Sequence, residues 1–145
     1  MELFTIGFAG KSAEQFFTAL VKHGVRKVID VRLNNVSQLA GFTKKNDLKY
    51  FLRVIANIEY EYLPQLAATK ELMDGFRQGK IAWKDYEATY LALLEERQVL
   101  KTLKPEDFDK ACLLCSEAEP EHCHRRLAAE WLKGKWRGME VRHIL

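Results

Sequence analysis

Proline, cysteine and glycine are scarce, at three, three and eight residues in a chain of 145. So few of them leave no flexible linker, low-complexity tract or internal repeat. Three cysteines is a low and odd count, which argues against a disulfide framework and fits a reducing cytoplasm. No apolar run approaches the roughly 18 residues of a membrane-spanning helix, so no membrane partner is expected. A dominant charge sign is also missing. The formal net charge of +3 is far from the footprint of a dedicated DNA-binding module. The basic runs Lys44-Lys45 and Lys133–Arg137 read as solvated surface. Met1–Gly7 lacks a basic start and a cleavage site, so it reads as mature protein rather than a signal peptide.

What the chain does have is material for a core. Apolar residues make up 48% of it, and its length is close to the commonest size of one domain. Residues 1–145 are therefore read as a single domain. Leu3–Ile6 is a short apolar run stopped by Gly7, which suits a buried strand. Ser12 with Gln15 three residues later is a capping-box start, and His23-Gly24 is the matching stop. Val25–Val31 is rich in β-branched residues and reads as a second strand. Strand, helix and strand in about thirty residues form a right-handed βαβ unit, which implies a parallel sheet.

Arg32–Lys45 has little periodicity and reads as a long, functional loop. A helix is expected from a cap at Asn46 or Asp47 through Asn57, then a strand at Glu59–Leu63. Thr69 caps a helix to Gln78, and Trp83–Leu100 is the longest helical segment. Pro105 and Asp107 mark a turn or short helix. Ala111–Cys115 is unbroken in its apolar character, as a central strand covered on both faces should be. Pro120 fits the first position of a helix running to Lys133, with Gly134 just beyond. Met139–Ile144 is the last strand. The alternation predicts an α/β fold with a mostly parallel sheet of about five strands and helices on both faces.

Reactive side chains crowd into Leu113–Arg126. Cys112 and Cys115 lie three apart on one strand, so they point to opposite faces about 10 Å apart, and Cys112 reads as core. Cys115 and Cys123 are different, because a loop can bring a strand end and a helix start together. Four roles stay open for them: nucleophile, redox pair, buried small hydrophobes, or zinc ligands with His124 and either Glu117 or His122. The spacing carries no second Cys-x-x-Cys, so no metal and no cofactor is expected. A phosphatase loop needs arginine six positions after its cysteine, and Glu121 stands there. Gly7–Ser12 resembles a phosphate loop, but only two residues separate Gly7 from Gly10-Lys11-Ser12 where a Walker loop has four.

His124, Arg125 and Arg126 sit in the first turns of the last long helix, where the dipole disfavours cations. Either Glu117, Glu119 and Glu121 compensate internally, or a phosphate or carboxylate binds there, held by Arg125 or Arg32. Asp30, at a strand end, is a candidate base or the orienting partner of Arg32.

Thr5-Ile6-Gly7, Asp30-Val31-Arg32 with Ser37 behind it, Cys115-Ser116-Glu117, Pro120, Cys123-His124-Arg125 and Val141-Arg142-His143-Ile144 recur in that order. Together they resemble the family called domain of unknown function 488, over essentially the whole chain. The resemblance implies a similar α/β fold and no established activity. Relatives usually carry histidine directly after the first Ile-Gly, where Phe8 stands here. They usually carry proline where this chain has Asn35.

Ligands of open parallel sheets sit beyond the carboxyl ends of the strands, and Gly7, Asp30–Arg32 and Cys115–Glu117 all fall at such ends. The expectation is a small enzyme acting on a phosphate-bearing substrate, a nucleotide or nucleic acid. Asp30, Cys115, Glu117 and His124 are its catalytic candidates. Gly7, Arg32, Cys123, Arg125 and, through the resemblance, Ser37 are its substrate-binding candidates. The alternative is a non-catalytic module that binds anions or nucleic acid, whose affinity would fall steeply with salt.

Overall fold

In the computed structural model, which describes residues 1–36 and 41–145, one sheet organises the chain. Its strands are β1 (Glu2–Gly7), β2 (Lys27–Asp30), β3 (Glu59–Tyr62), β4 (Ala111–Cys115) and β5 (Glu140–Ile144). They lie in the order β3-β2-β4-β1-β5, and every pairing is parallel. β4 is central: Ala111 lies opposite Leu3 of β1 on one side and Lys27 of β2 on the other. The β1–β2 unit is therefore a crossover that passes over the place β4 fills.

The helices are α1 (Ala13–Lys22), α2 (Lys45–Phe51, continuing as a wider π-helical turn over Leu52–Ala56), α3 (Lys70–Arg77), α4 (Trp83–Glu96) and α5 (His124–Lys135). Alternate strand residues sort onto two faces, as the strand period requires. Phe4, Ile6, Val28, Cys112 and Leu114 pack against Phe16, Phe17 and Leu20 of α1 and Leu48 of α2. Leu3, Ile29, Ala111 and Leu113 pack against Leu72, Tyr86, Tyr90, Leu94, Leu127 and Ala128 of α3, α4 and α5. Among the described residues no helix is long and apolar enough to cross a membrane.

Several boundaries differ from expectation, the second strand shrinking from Val25–Val31 to Lys27–Asp30 among them, and three of the differences have a local cause. Pro120 does not open the last helix. It opens a turn closed by the Cys123 N–H donating to Pro120 O at 3.2 Å, and the helix starts at His124 with Gly134 inside it. The long helix stops at Glu96 because Gln98 takes a left-handed conformation, φ 52°, and Val99–Lys101 forms a separate 3-10 turn. Helix α2 begins at Lys45 with Lys44 as its cap, ahead of Asn46 and Asp47. There the Lys45 N–H donates to Asn35 O at 2.7 Å. The Ser12 capping box and the Thr69 cap form as expected.

From β2 the chain leaves across the face of α2, and from β4 it leaves across the face of α5. Neighbouring strands whose connections depart on opposite faces open a crevice beyond their carboxyl ends. The strand order therefore puts that crevice between Asp30 and Cys115.

Candidate functional site

Cys115 is the last residue of β4, and strand alternation turns it to the α3–α5 side with Leu113. The turn at Pro120 brings the chain back, so Cys123 caps α5 and His124 is its first residue. The Sγ atoms of Cys115 and Cys123 and one ring nitrogen of His124 all lie within 4.8 Å of one another, and all three residues are buried. His124 Nδ1 is 3.9 Å from Cys115 Sγ. Its Nε2 is 2.8 Å from the carbonyl oxygen of Val31, which can only accept, so Nε2 carries a proton and Nδ1 faces the sulfur.

The loop between the two cysteines is held from inside. Arg125, fully buried, donates from Nη1 to Glu117 O and from Nη2 to Ala118 O, at 2.5 and 3.2 Å. The Glu117 carbonyl in turn sits against the bare Cα of Gly7: a Cβ there would overlap the oxygen. Ala9 N–H donates to Ser116 O at 2.9 Å. Arg125 thus shapes the loop through both terminal nitrogens, while its Nε is buried without a hydrogen-bond partner among the described residues. Gly7 is a close-approach glycine. The Glu117 carboxylate is exposed and makes no hydrogen bond or ion pair among the described residues.

Charge in the trio is shared. The Cys123 thiol, hydrogen-bonded to Cys115, pulls the Cys115 pKa well below the usual thiol value, against burial and with help from His124. The same hydrogen bond, with burial, pushes the Cys123 thiol well up. Burial opposes a charge on His124, but the Cys115 sulfur and the Val31 carbonyl outweigh it, and its pKa rises. Burial pushes up the pKa of Tyr86, with further contributions from the two sulfurs. Cys112, on the other face, is a core thiol whose pKa burial raises, in line with the strand-geometry reading.

Asp30 is not part of this cluster. It shares the sheet face of Val28, and its carboxylate is fully engaged. It accepts from Arg32 N–H, Nε and Nη2 at 3.1, 2.9 and 2.9 Å, from Tyr60 OH at 2.6 Å and from Asn35 Nδ2 at 3.3 Å. It orients Arg32. Arg32 also donates to Thr43 O at 2.7 Å and lies 5.6 Å from the Phe8 ring centroid. Its Nη1 is buried without a hydrogen-bond partner among the described residues. Phe8 thus packs against this arginine, and Asn35 donates to the carboxylate that holds it. Ser37 lies outside the described residues.

The crevice itself is a cavity of about 410 Å³ lined by Arg32, Cys115, Ser116 and His124, with Lys70, Met73, Asp74 and Arg77 of α3 on its far wall. A second cavity of about 250 Å³ adjoins it, sharing Met73, Arg77, Cys115, Ser116 and His124 and adding Phe76, Tyr86, Glu117, His122 and Cys123. The structure thus brings Arg32, Cys115, Cys123 and His124 to one cleft. Sequence reasoning missed the contribution of α3. Its signal was the spacing of Lys70, Met73, Asp74 and Arg77, which places all four on one helix face. Lys70 is paired to Asp74 at 2.7 Å, and Arg77 carries no ion pair among the described residues.

A profile of the domain of unknown function DUF488 matches residues 12–132. No curated protein and no solved structure matches the chain.

Proposed function

The chain belongs to the DUF488 family, and from the chemistry of its own cleft we propose that it is a small enzyme acting on a phosphate-bearing substrate. The observation that carries the reading is a buried thiol–imidazole pair, Cys115 and His124, on the floor of a cavity whose rim holds Arg32, Lys70 and Arg77. Reactive floor and cationic rim meet at the switch point of the sheet, where parallel α/β folds take their ligands. Cys115 and His124 are the reactive groups. Arg77 and Arg32 Nη1 receive the anion, and Asp30 keeps Arg32 in place. Free thiols at the centre suit a reducing cytoplasm.

The test uses inorganic phosphate as the binding probe and a panel of nucleoside monophosphates and simple phosphate esters as substrates. Phosphate binds the native protein, and Arg77→Ala weakens it at least about tenfold, the equivalent of one charge-assisted contact. Turnover of a panel member is lost in Cys115→Ser. A cleft with no measurable affinity for phosphate, or turnover that survives Cys115→Ser at full rate, overturns the reading.

A further inference from the structure

We infer that Cys115, Cys123 and His124 form the protein part of a zinc centre, an inference that rests on the reading above and assigns its reactive floor. Spacing alone argued against a metal, because no second Cys-x-x-Cys is present. The fold supplies the set differently, with one thiol from a strand end and an adjacent thiol and imidazole from a helix start. The three ligand atoms cluster within 4.8 Å of one another. Ligands about 2.0–2.3 Å from a common tetrahedral ion are about 3.3–3.8 Å apart, so only a small contraction is needed.

Three features favour zinc over a chance cluster. The imidazole is already oriented: Nε2–H is held by the Val31 carbonyl at 2.8 Å, which aims Nδ1 inward, the usual outer-shell arrangement of a zinc-binding histidine. The donor set is two sulfurs and one imidazole, which suits zinc rather than magnesium or calcium. Two thiolates and a neutral imidazole cancel the charge of a divalent ion, so the centre is neutral where Cys115, Cys123 and His124 are 4%, 2% and 2% exposed. Three protein ligands leave the fourth tetrahedral position to water or a substrate oxygen, the pattern of catalytic rather than structural zinc. All three residues line the 250 Å³ cavity, which opens into the larger one, so that position faces the cationic cleft. Of the two further ligands the sequence offered, His122 packs at a tilt against Trp83 with ring centroids 4.8 Å apart, Glu117 is exposed, and both lie outside the cluster.

The test is cobalt uptake by the full chain, reduced and stripped of metal by a chelator under anaerobic conditions. One equivalent of Co²⁺ binds and gives the intense visible bands of tetrahedral thiolate-ligated cobalt, and one equivalent of Zn²⁺ displaces it. Cys123→Ser and His124→Gln each weaken zinc at least about tenfold, the least that even an outer-shell contact is worth. Circular dichroism confirms that each variant is folded. Cys112→Ser, changed on the opposite sheet face, retains full uptake. No tetrahedral cobalt spectrum in the folded native chain, or equal zinc affinity in folded Cys123→Ser, overturns the inference. Phosphate affinity measured on the same metal-free sample reports on the cleft separately. Its persistence without cobalt uptake rejects the metal alone, and cobalt uptake without it rejects the phosphate reading alone.

Discussion

Gly7 has no room for a side chain, and the reason is a single carbonyl oxygen. Gly7→Ala drives a methyl group into Glu117 O and displaces the loop that carries the cysteines. Overpacking of this kind costs about 1–3 kcal/mol, and urea denaturation will show at least that loss. A variant as stable as the native chain would mean that the loop yields freely. Asp30→Asn is expected to cost more, about 3–5 kcal/mol, because it leaves the Arg32 guanidinium buried without its counter-charge. A loss under about 1 kcal/mol would show that Arg32 has a second home. His143 gives a pH dependence. Its Nδ1 lies 2.6 Å from Thr5 Oγ1, and burial lowers its pKa below 6.5. The unfolded chain then binds the proton more readily than the native one. This contribution to stability is complete above pH 6.5 and is lost as the pH falls through the depressed native value. Proton NMR should find the His143 midpoint below 6.5, and a midpoint at or above 6.5 refutes the assignment.

Elements were legible where side-chain pattern and backbone geometry carry the same message. Ala111–Cys115 appears with the expected bounds, because an unbroken apolar run has no other stable place than a covered strand. Caps were legible at Ser12 and Thr69, whose hydroxyls accept the Gln15 and Leu72 amides at 3.1 and 3.2 Å. The start of α5 was not. Proline suits both a first helical position and a tight turn, and cysteine is not a residue that advertises a cap. The end of α4 was hidden for a similar reason, since Gln98 rather than glycine takes the left-handed conformation. Thr69→Ala should cost about 1 kcal/mol. Because α3 carries Met73, Asp74 and Arg77 to the cleft, the same change is expected to loosen phosphate binding as well. Unaltered denaturation midpoints would dismiss the cap as a stabilising contact.

At the scale of the molecule, the parallel sheet was legible from the alternation of strands and helices, but its order was not. A strand buried on both faces has no polar side to mark its neighbours, so nothing in Ala111–Cys115 says that it lies between β1 and β2. The meeting of Cys115 with Cys123 and His124 depends on that order and on a turn with no strong signature. The sequence could therefore nominate the three without joining them. Asp30 and Cys115 end neighbouring strands, with Asp30 opposite Leu114, but strand alternation turns their side chains to opposite faces of the sheet. Centrality also predicts a gradient of local stability. Amides of Cys112–Leu114 should exchange with deuterium most slowly, and those of the edge strands β3 and β5 much faster. Comparable protection in β3 and β4 would contradict the strand order.

The braced loop has one more implication. Its inner side is fixed by a guanidinium and a bare backbone, while Glu117, Glu119 and Glu121 project outward and are exposed. Those three positions can change in size and sign without disturbing the sulfurs behind them. Selection, or a protein engineer, can therefore remodel the outer side of this loop, including Glu117 at the smaller cavity, while leaving its hearth alone.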